Sequence, residues 1–280
     1  MHENRLLAAL PPSHLYRLLP HLEPVTVSVD DVLWGRSEMP EHVYFPLDAI
    51  VSLVSSMSDG KSVELAMIGN DGATGMFGAL GANSKYYEYR VQIPGRALRI
   101  KAGLLRRELE DHGALPAVLM RYVPALCAQI SQVAACNRLH KVEQRLSTWL
   151  LMMHNRVKGD EIALRQSDIA ATLGYRRPTI TEVCILLQKK AAIAYRLRLQ
   201  EVACECYDIM ETQLDKTYAV SWREMAERNK SQVVSNLFND AARISERTWR
   251  DHEQIRLRCE EQIQMLTEQR EWLKSLSHSR

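Results

Sequence analysis

The sequence predicts an α+β protein, with a small antiparallel strand structure first and helices after it. Three observations predict this. Between about residues 24 and 100, apolar residues come in short, partly alternating runs bounded by Gly, Pro and Asp. From about residue 103 they recur at three- and four-residue steps. And RQSDIAATLGYRRPTITEVCILLQKK (165–190) sets a glycine between two short amphipathic stretches, with arginines and a proline opening the second.

The elements follow in chain order. Residues 4–22 read as short helices, with Leu6, Leu7 and Leu10 on one side of Pro11 and Pro12 and Leu15, Leu18 and Leu19 on the other. VTVSV (25–29) is β-branched and alternating. IVSLVS (50–55) runs through Asp59-Gly60, a hairpin signal, into SVELAMI (62–68). Gly69, Gly72, Gly75, Gly78 and Gly81 punctuate a loop-rich stretch. YRVQI (89–93) and ALRI (97–100) bracket Pro94-Gly95, which reads as another tight turn. Many short strands at this spacing suggest a small antiparallel barrel or roll.

Residues 115–135 carry a broad apolar stripe from Leu115 to Ala134, the mark of a long helix that buries itself on the roll or on a second copy. Pro124 inside it is expected to kink it. A further helix over about 139–157 bears Leu146, Trp149, Leu150 and Met153, and Gly159-Asp160 end it.

The 165–190 stretch has helix-turn-helix spacing. Counted from Gln166, Ala170 is fifth, Gly174 ninth, Ile180 fifteenth and Val183 eighteenth. A small Ala170 lets the helices cross closely, and Gly174 supplies a left-handed turn residue. Ile169, Leu173, Ile180 and Val183 make the core between them. Pro178 fits the first turn of the second helix, where its missing N–H costs little. Arg177 precedes a proline, so the helix is expected to start there. Arg176, Arg177, Thr179, Thr181 and Glu182 then lie on the outward, early face, the part that enters a major groove in such motifs. Arginine can pair with guanine, and threonine with base edges or a thymine methyl. Arg165, Lys189, Lys190, Arg196 and Arg198 are candidates for phosphate contacts, and Gln166 and Ser167 complete the candidate DNA-binding set. Charge supports this: the chain's formal net charge is +2, but residues 138–200 hold 12 Lys/Arg against 5 Asp/Glu, a local +7.

Composition narrows the class. Hydrophobic residues make up 46% and charged residues 25%, ordinary for a folded domain pair. No unbroken run of about 18 apolar residues and no apolar signal core appear, so neither membrane association nor export is expected. Six scattered cysteines (127, 136, 184, 204, 206 and 259) show no paired CxxC pattern. A reducing cytoplasm fits them, and no metal site, iron–sulfur cluster or disulfide framework is expected. Cys136 reads as a buried thiol near a hinge. Cys204 and Cys206 read as alternating on a last strand, with one facing the core. His140 reads as a phosphate-facing or simple surface position. No catalytic constellation appears, so the chain is not expected to be an enzyme, and no cofactor is identified.

The run AACNRLHKVEQRLSTWLLMMHNRV (134–157), the helix-turn-helix after it and ACECY (203–207) resemble one branch of the Crp/Fnr (cyclic-AMP receptor protein / fumarate-nitrate regulator) family of bacterial transcription regulators. YFPLDAIVSLVSSMSDGKSVELAMIGNDGATG (44–75) is similar to the sensor roll of that branch. The likeness spans about residues 4–207. It implies a double-stranded, cyclic-nucleotide-binding-like β-roll over 1–112, a dimerisation helix over 113–137, and a winged helix-turn-helix domain over 138–207; residues 208–280 lie outside the likeness and read as a helical tail. It implies a cytoplasmic homodimer reading pseudo-palindromic DNA. Double-stranded DNA and a second copy are thus the expected partners, with RNA polymerase and a small-molecule effector as further candidates.

Three departures bear on that. The region GMFGALGANSKYYEYRVQI lacks a glutamate between Gly75 and Gly81 and has Lys85-Tyr86-Tyr87 where an Arg-Ser/Thr pair would stand, so cyclic AMP is not expected to bind. Gly72, Gly75 and Lys85 stay as effector-binding candidates, though turns alone explain the glycines. KKAAIAYRLRLQEVACECY lacks the wing's turn glycine and several residues, so a shortened wing is expected. The tail carries Leu237 to Leu273 at helical steps and Trp222, Trp249 and Trp272. A coiled coil or partner-binding helix and a solvated surface helix stay open for it. A truncated wing also admits a rival function, a protein–protein adaptor or ligand sensor that has lost DNA binding.

Overall fold

In a computed structural model of the chain, residues 3–35, 40–80, 87–110, 114–157, 162, 164–190 and 196–219 are described. The alternating stretches form strands β1 (Glu23–Val27), β2 (Val32–Trp34), β3 (His42–Pro46), β4 (Ile50–Ser56), β5 (Ser62–Ile68), β6 (Tyr87–Ile93) and β7 (Gly95–Lys101). They pair antiparallel in two sheets, β1-β7-β3 and β2-β6-β4-β5. Alternate residues point inward, so Val43 and Phe45 of β3 and Tyr89 and Val91 of β6 are buried between the sheets. Two strands escape a reading from sequence. β2 has only three residues, and β3 ends in a proline.

Pro94-Gly95 differs from expectation. β6 and β7 do not pair with each other, and the chain passes there from one sheet to the other. The corner is tight: a Cβ on Gly95 would lie 2.6 Å from the Asp48 carboxylate and 2.7 Å from the Ala49 nitrogen.

The roll core is shared with helices. α1 (Arg5–Ala8) buries Leu6 and Leu7, and α2 (Pro12–Leu18) buries Leu18. The fully buried Asn4 accepts from the Leu6 and Leu7 nitrogens, each at 3.1 Å, which caps α1. Its amide donates to the Pro46 and Gly72 carbonyls, tying the helix to the roll. α3 (Met76–Ala79) and α4 (Ala102–Glu110) close the roll, with Met76 and Leu105 fully buried.

α5 (Ala114–Leu139) has three faces. Leu115, Val118, Leu119, Tyr122 and Leu126 pack on the roll core. A second face meets α10 (Cys206–Ala219). The third, Met120, Pro124, Cys127, Ser131, Ala134 and Arg138, is exposed. By length and composition α5 could cross a membrane, but a third of its most apolar window is buried in the protein (33%). Roll burial and the exposed stripe account for its apolarity.

A second core joins α6 (Val142–His154), α7 (Gln166–Leu173), α8 (Arg177–Lys189) and α9 (Arg196–Val202) around Leu146, Leu151, Met153, Ile180 and Leu187. α9 corrects the wing expectation: in the place of a shortened hairpin, the described residues 196–202 are helical. RLRLQEV is built of good helix formers and has no turn glycine. Residues 191–195 lie outside the described set. Cys204 and Cys206 also differ from expectation. They sit on no strand but in the α9–α10 loop and at the start of α10, and both are buried.

The beginning of the tail is part of this fold. α10 buries Met210, Arg5 bonds Asp215 at 2.9 Å and stacks on Tyr218, and the Tyr218 hydroxyl donates to the Asp71 carbonyl. Residues 220–280, with the three tail tryptophans and the Leu237–Leu273 stripe, lie outside the described residues.

Candidate nucleic-acid interface

The helix-turn-helix closes as its residue types dictate. Gly174 ends α7 in the left-handed region (φ 73°), and the Tyr175 nitrogen bonds the Ala170 carbonyl. Ile169, Ala170, Leu173, Ile180 and Val183 are buried together. Arg145 of α6 locks the turn: its guanidinium donates to the Leu173 carbonyl at 2.9 Å and to the Tyr175 hydroxyl at 2.5 Å, and lies over the Tyr175 ring. This cation at the C-terminus of α7 also complements the helix dipole. Sequence reading missed Arg145 because it is some 30 residues from the turn it serves.

The exposed side of α8 carries the predicted residues unequally. Arg176 takes extended geometry before the helix, and Arg177 and Pro178 form its first turn. Arg176, Arg177, Lys189 and Lys190 are exposed, and their side chains have no hydrogen-bond or ion-pair partner among the described residues. Thr179 is half-buried, and Ser167 is exposed with its hydroxyl on Asp168. Thr181 donates to the Gln166 side chain at 2.7 Å, so these two candidates bridge α7 and α8. Arg165 pairs with Asp168 at 2.9 Å and Asp30 of the roll at 3.6 Å. Arg196 is held by His154 and the Tyr207 hydroxyl, and Arg198 by Glu201. Arg165 and Arg198 thus stay exposed in surface ion pairs, whereas Arg196 is held by His154 and Tyr207.

The effector candidates have structural work of their own. A Cβ on Gly72 would lie 2.4 Å from the Tyr122 hydroxyl, and Gly75 takes a left-handed conformation before α3. Lys85 lies outside the described residues.

Polar contacts link the helix-turn-helix to the roll. Trp149 of α6 donates to the buried Glu64 at 2.9 Å, and Ser52 donates to the same carboxyl. Burial pushes the Glu64 carboxyl up to about 7. Gln92 donates to Thr172 at 3.1 Å. The buried Arg156, at the end of α6, pairs with Asp71 of the roll at 2.7 Å and Glu211 of α10 at 3.0 Å.

One cluster joins residues that the sequence reading kept apart. Cys136, His140, Cys204 and Cys206 each place one ligand atom within 4.8 Å of the others. His140 faces Cys206 and Glu205 here, not a phosphate-binding surface.

The described fold is a β-roll, a long helix and a helix-turn-helix domain. Solved structures share it: a transcriptional regulator of the crp/fnr family from Eubacterium rectale (TM-score 0.58, 12% identity, covering 72% of this chain and 99% of that one), FixK2 from Bradyrhizobium japonicum (0.56, 18%, 65% and 98%), and a CRP-family transcriptional regulator from Thermus thermophilus (0.51, 13%, 71% and 98%). At these identities the likeness establishes the fold. No protein-family model and no curated protein matches the chain.

Proposed function

We propose that the protein is a cytoplasmic, homodimeric DNA-binding transcription regulator of the Crp/Fnr type. The observation that carries this reading is the free cationic edge of α8. Arg176, Arg177, Lys189 and Lys190 are exposed and unpaired among the described residues, on a helix whose opposite face is locked into a helix-turn-helix core. Arg177 and Thr179, at the N-terminal end, read bases, and Arg176 and the two lysines hold phosphates. The exposed stripe of α5 supports the dimer. Its members recur at alternating four- and three-residue steps, the spacing of a two-helix seam, and most are small or apolar.

A signal acts on residues 20–105 and reaches the helix-turn-helix through the Glu64–Trp149 and Asp71–Arg156 contacts. An effector changes DNA affinity only to the extent that it binds two arrangements of these parts differently. Cyclic AMP is not the expected effector, since the stretch between Gly75 and Gly81 carries no glutamate and Lys85-Tyr86-Tyr87 stands where an Arg-Ser/Thr pair would be.

The test is fluorescence anisotropy of the purified chain on random duplex DNA, titrated with salt, with sequencing of the bound fraction. A steep salt slope and an enriched two-fold site are expected. Absence of binding even at low salt would overturn the reading in favour of the adaptor that α9, in the place of a wing, makes the rival.

A further inference from the structure

The geometry points to a zinc site formed by Cys136, His140, Cys204 and Cys206, which clamps the end of α5 to the loop between α9 and α10. This goes beyond DNA binding and stands whether or not α8 reads DNA. Cys136 and His140 are four residues apart where α5 ends, and the His140 nitrogen still bonds the Cys136 carbonyl at 3.1 Å. Their side chains therefore leave the same face. Cys204 and Cys206 flank the turn into α10. More than sixty residues separate the two pairs in sequence, and the second core brings them together.

The spacing suits one tetrahedral ion. Zinc–sulfur bonds of about 2.3 Å and zinc–nitrogen bonds of about 2.0 Å put tetrahedral ligands roughly 3.5–3.8 Å apart. The Cys136 and Cys204 sulfurs are 3.6 Å apart, and Cys206 Sγ is 3.4 Å from His140 Nδ1. An iron–sulfur cluster would spread its ligand sulfurs around several irons rather than gather them at one point. Three thiolates and an imidazole are the soft, tetrahedral set that selects zinc.

The surroundings are those of a ligated site. His140 turns Nδ1 to the cysteines and Nε2 to the Glu205 carboxylate at 3.2 Å, the arrangement that fixes a ligating histidine's tautomer. Gln132 donates to Cys206 Sγ at 3.1 Å, and the Thr148 hydroxyl lies 3.2 Å from Cys204 Sγ. Both place hydrogen-bond donors against sulfurs that would carry charge. The three cysteines are buried. Binding releases the three thiol protons to solvent, leaving three thiolates, a neutral imidazole and a net charge of −1 with the ion.

The experiment uses the full chain, purified under reducing conditions. Zinc is counted by plasma mass spectrometry, and cobalt(II) is titrated into the zinc-stripped protein while thiolate-to-cobalt charge-transfer absorption is followed. About one ion per chain is expected, with Cys127→Ser and Cys184→Ser binding as the parent does. Cys136→Ser and Cys206→Ser should lose the ion, and Glu205→Gln should weaken binding about 10- to 100-fold. A ligand variant can lose the ion through misfolding alone, so His140→Cys supplies the control: it restores four ligands and should recover cobalt absorption that His140→Ala lacks. The proposal is overturned if the reduced, folded parent takes up no cobalt, if Cys136→Ser and Cys206→Ser keep full metal, or if His140→Cys binds no better than His140→Ala.

Discussion

Arg177 and Lys190 stand at the two ends of α8, and the proposed function gives them different tasks. Arg177 stands in the first turn of α8 with a planar fork that can satisfy one guanine edge. Lys190 stands past its last turn as a flexible point charge, suited to phosphate. Arg177→Ala is expected to cost about 1–3 kcal/mol on the specific site and to relax preference at one base position, whereas Lys190→Ala weakens all duplexes alike and lowers the salt slope by about one. Binding-site selection followed by salt titration separates the two; an unchanged site preference in Arg177→Ala would remove it from the reading face. Glu64 makes a prediction about pH. Burial raises its carboxyl from an ordinary 4.5 to about 7, so the folded state holds a proton that the unfolded state releases. The penalty is absent below about 4.5, grows as pH rises towards about 7 and is constant above, on the order of 3 kcal/mol in all at about 1.4 kcal/mol per pH unit. Glu64→Gln should flatten that part of the stability curve, measured by denaturant unfolding across pH. An undiminished slope would place the titration elsewhere.

At the scale of elements, what was legible in the sequence was what neighbouring residues decide. The α7–α8 pair could be read from Ala170, Gly174, Ile180 and Val183 because helix period and turn chemistry are local. Gly174→Ala should cost about 1 kcal/mol or more, since φ 73° is disfavoured for alanine; the loss in Tm checks it, and an unchanged Tm would mean that the turn relaxes. Helix α5 was legible from its stripe, and β4, β5, β6 and β7 from theirs. β2 was not, since three residues carry no period. The α9 helix ran against an expectation drawn from resemblance, although RLRLQEV favoured helix on its own propensity. The candidate site divides the same way. The exposed cations of α8 followed from spacing. The Arg145 lock, the Arg156 pairs with Asp71 and Glu211, and the four-ligand cluster depend on residues that only the tertiary fold brings together.

For the whole molecule, the proposed function makes the exposed face of α5 the seam of a dimer, which would set how many α8 helices meet DNA at once. Met120, Pro124, Cys127, Ser131, Ala134 and Arg138 line one face, while the rest of the helix is spent on the roll and on α10. Two copies joined along this face relate their α8 helices by a two-fold axis, which is what a palindromic site requires. Cys127, Ser131 and Ala134 are small, so two helices can approach closely along this part of the face, and a long side chain in place of Ala134 would hold them apart. Ala134→Arg is therefore expected to yield monomers by light scattering, with the roll and helix-turn-helix still folded. Each monomer then engages a single half-site, and affinity for the full site falls about 10²- to 10⁴-fold as the second, effectively intramolecular contact is lost. Cys127 offers the converse measurement. On a symmetric seam it faces its own copy, so mild oxidation should give a covalent dimer that still binds DNA and that Cys127→Ser cannot form. If Ala134→Arg remains dimeric and Cys127 does not cross-link, the dimer uses another surface, and the spacing of its two recognition helices must be derived from that surface instead.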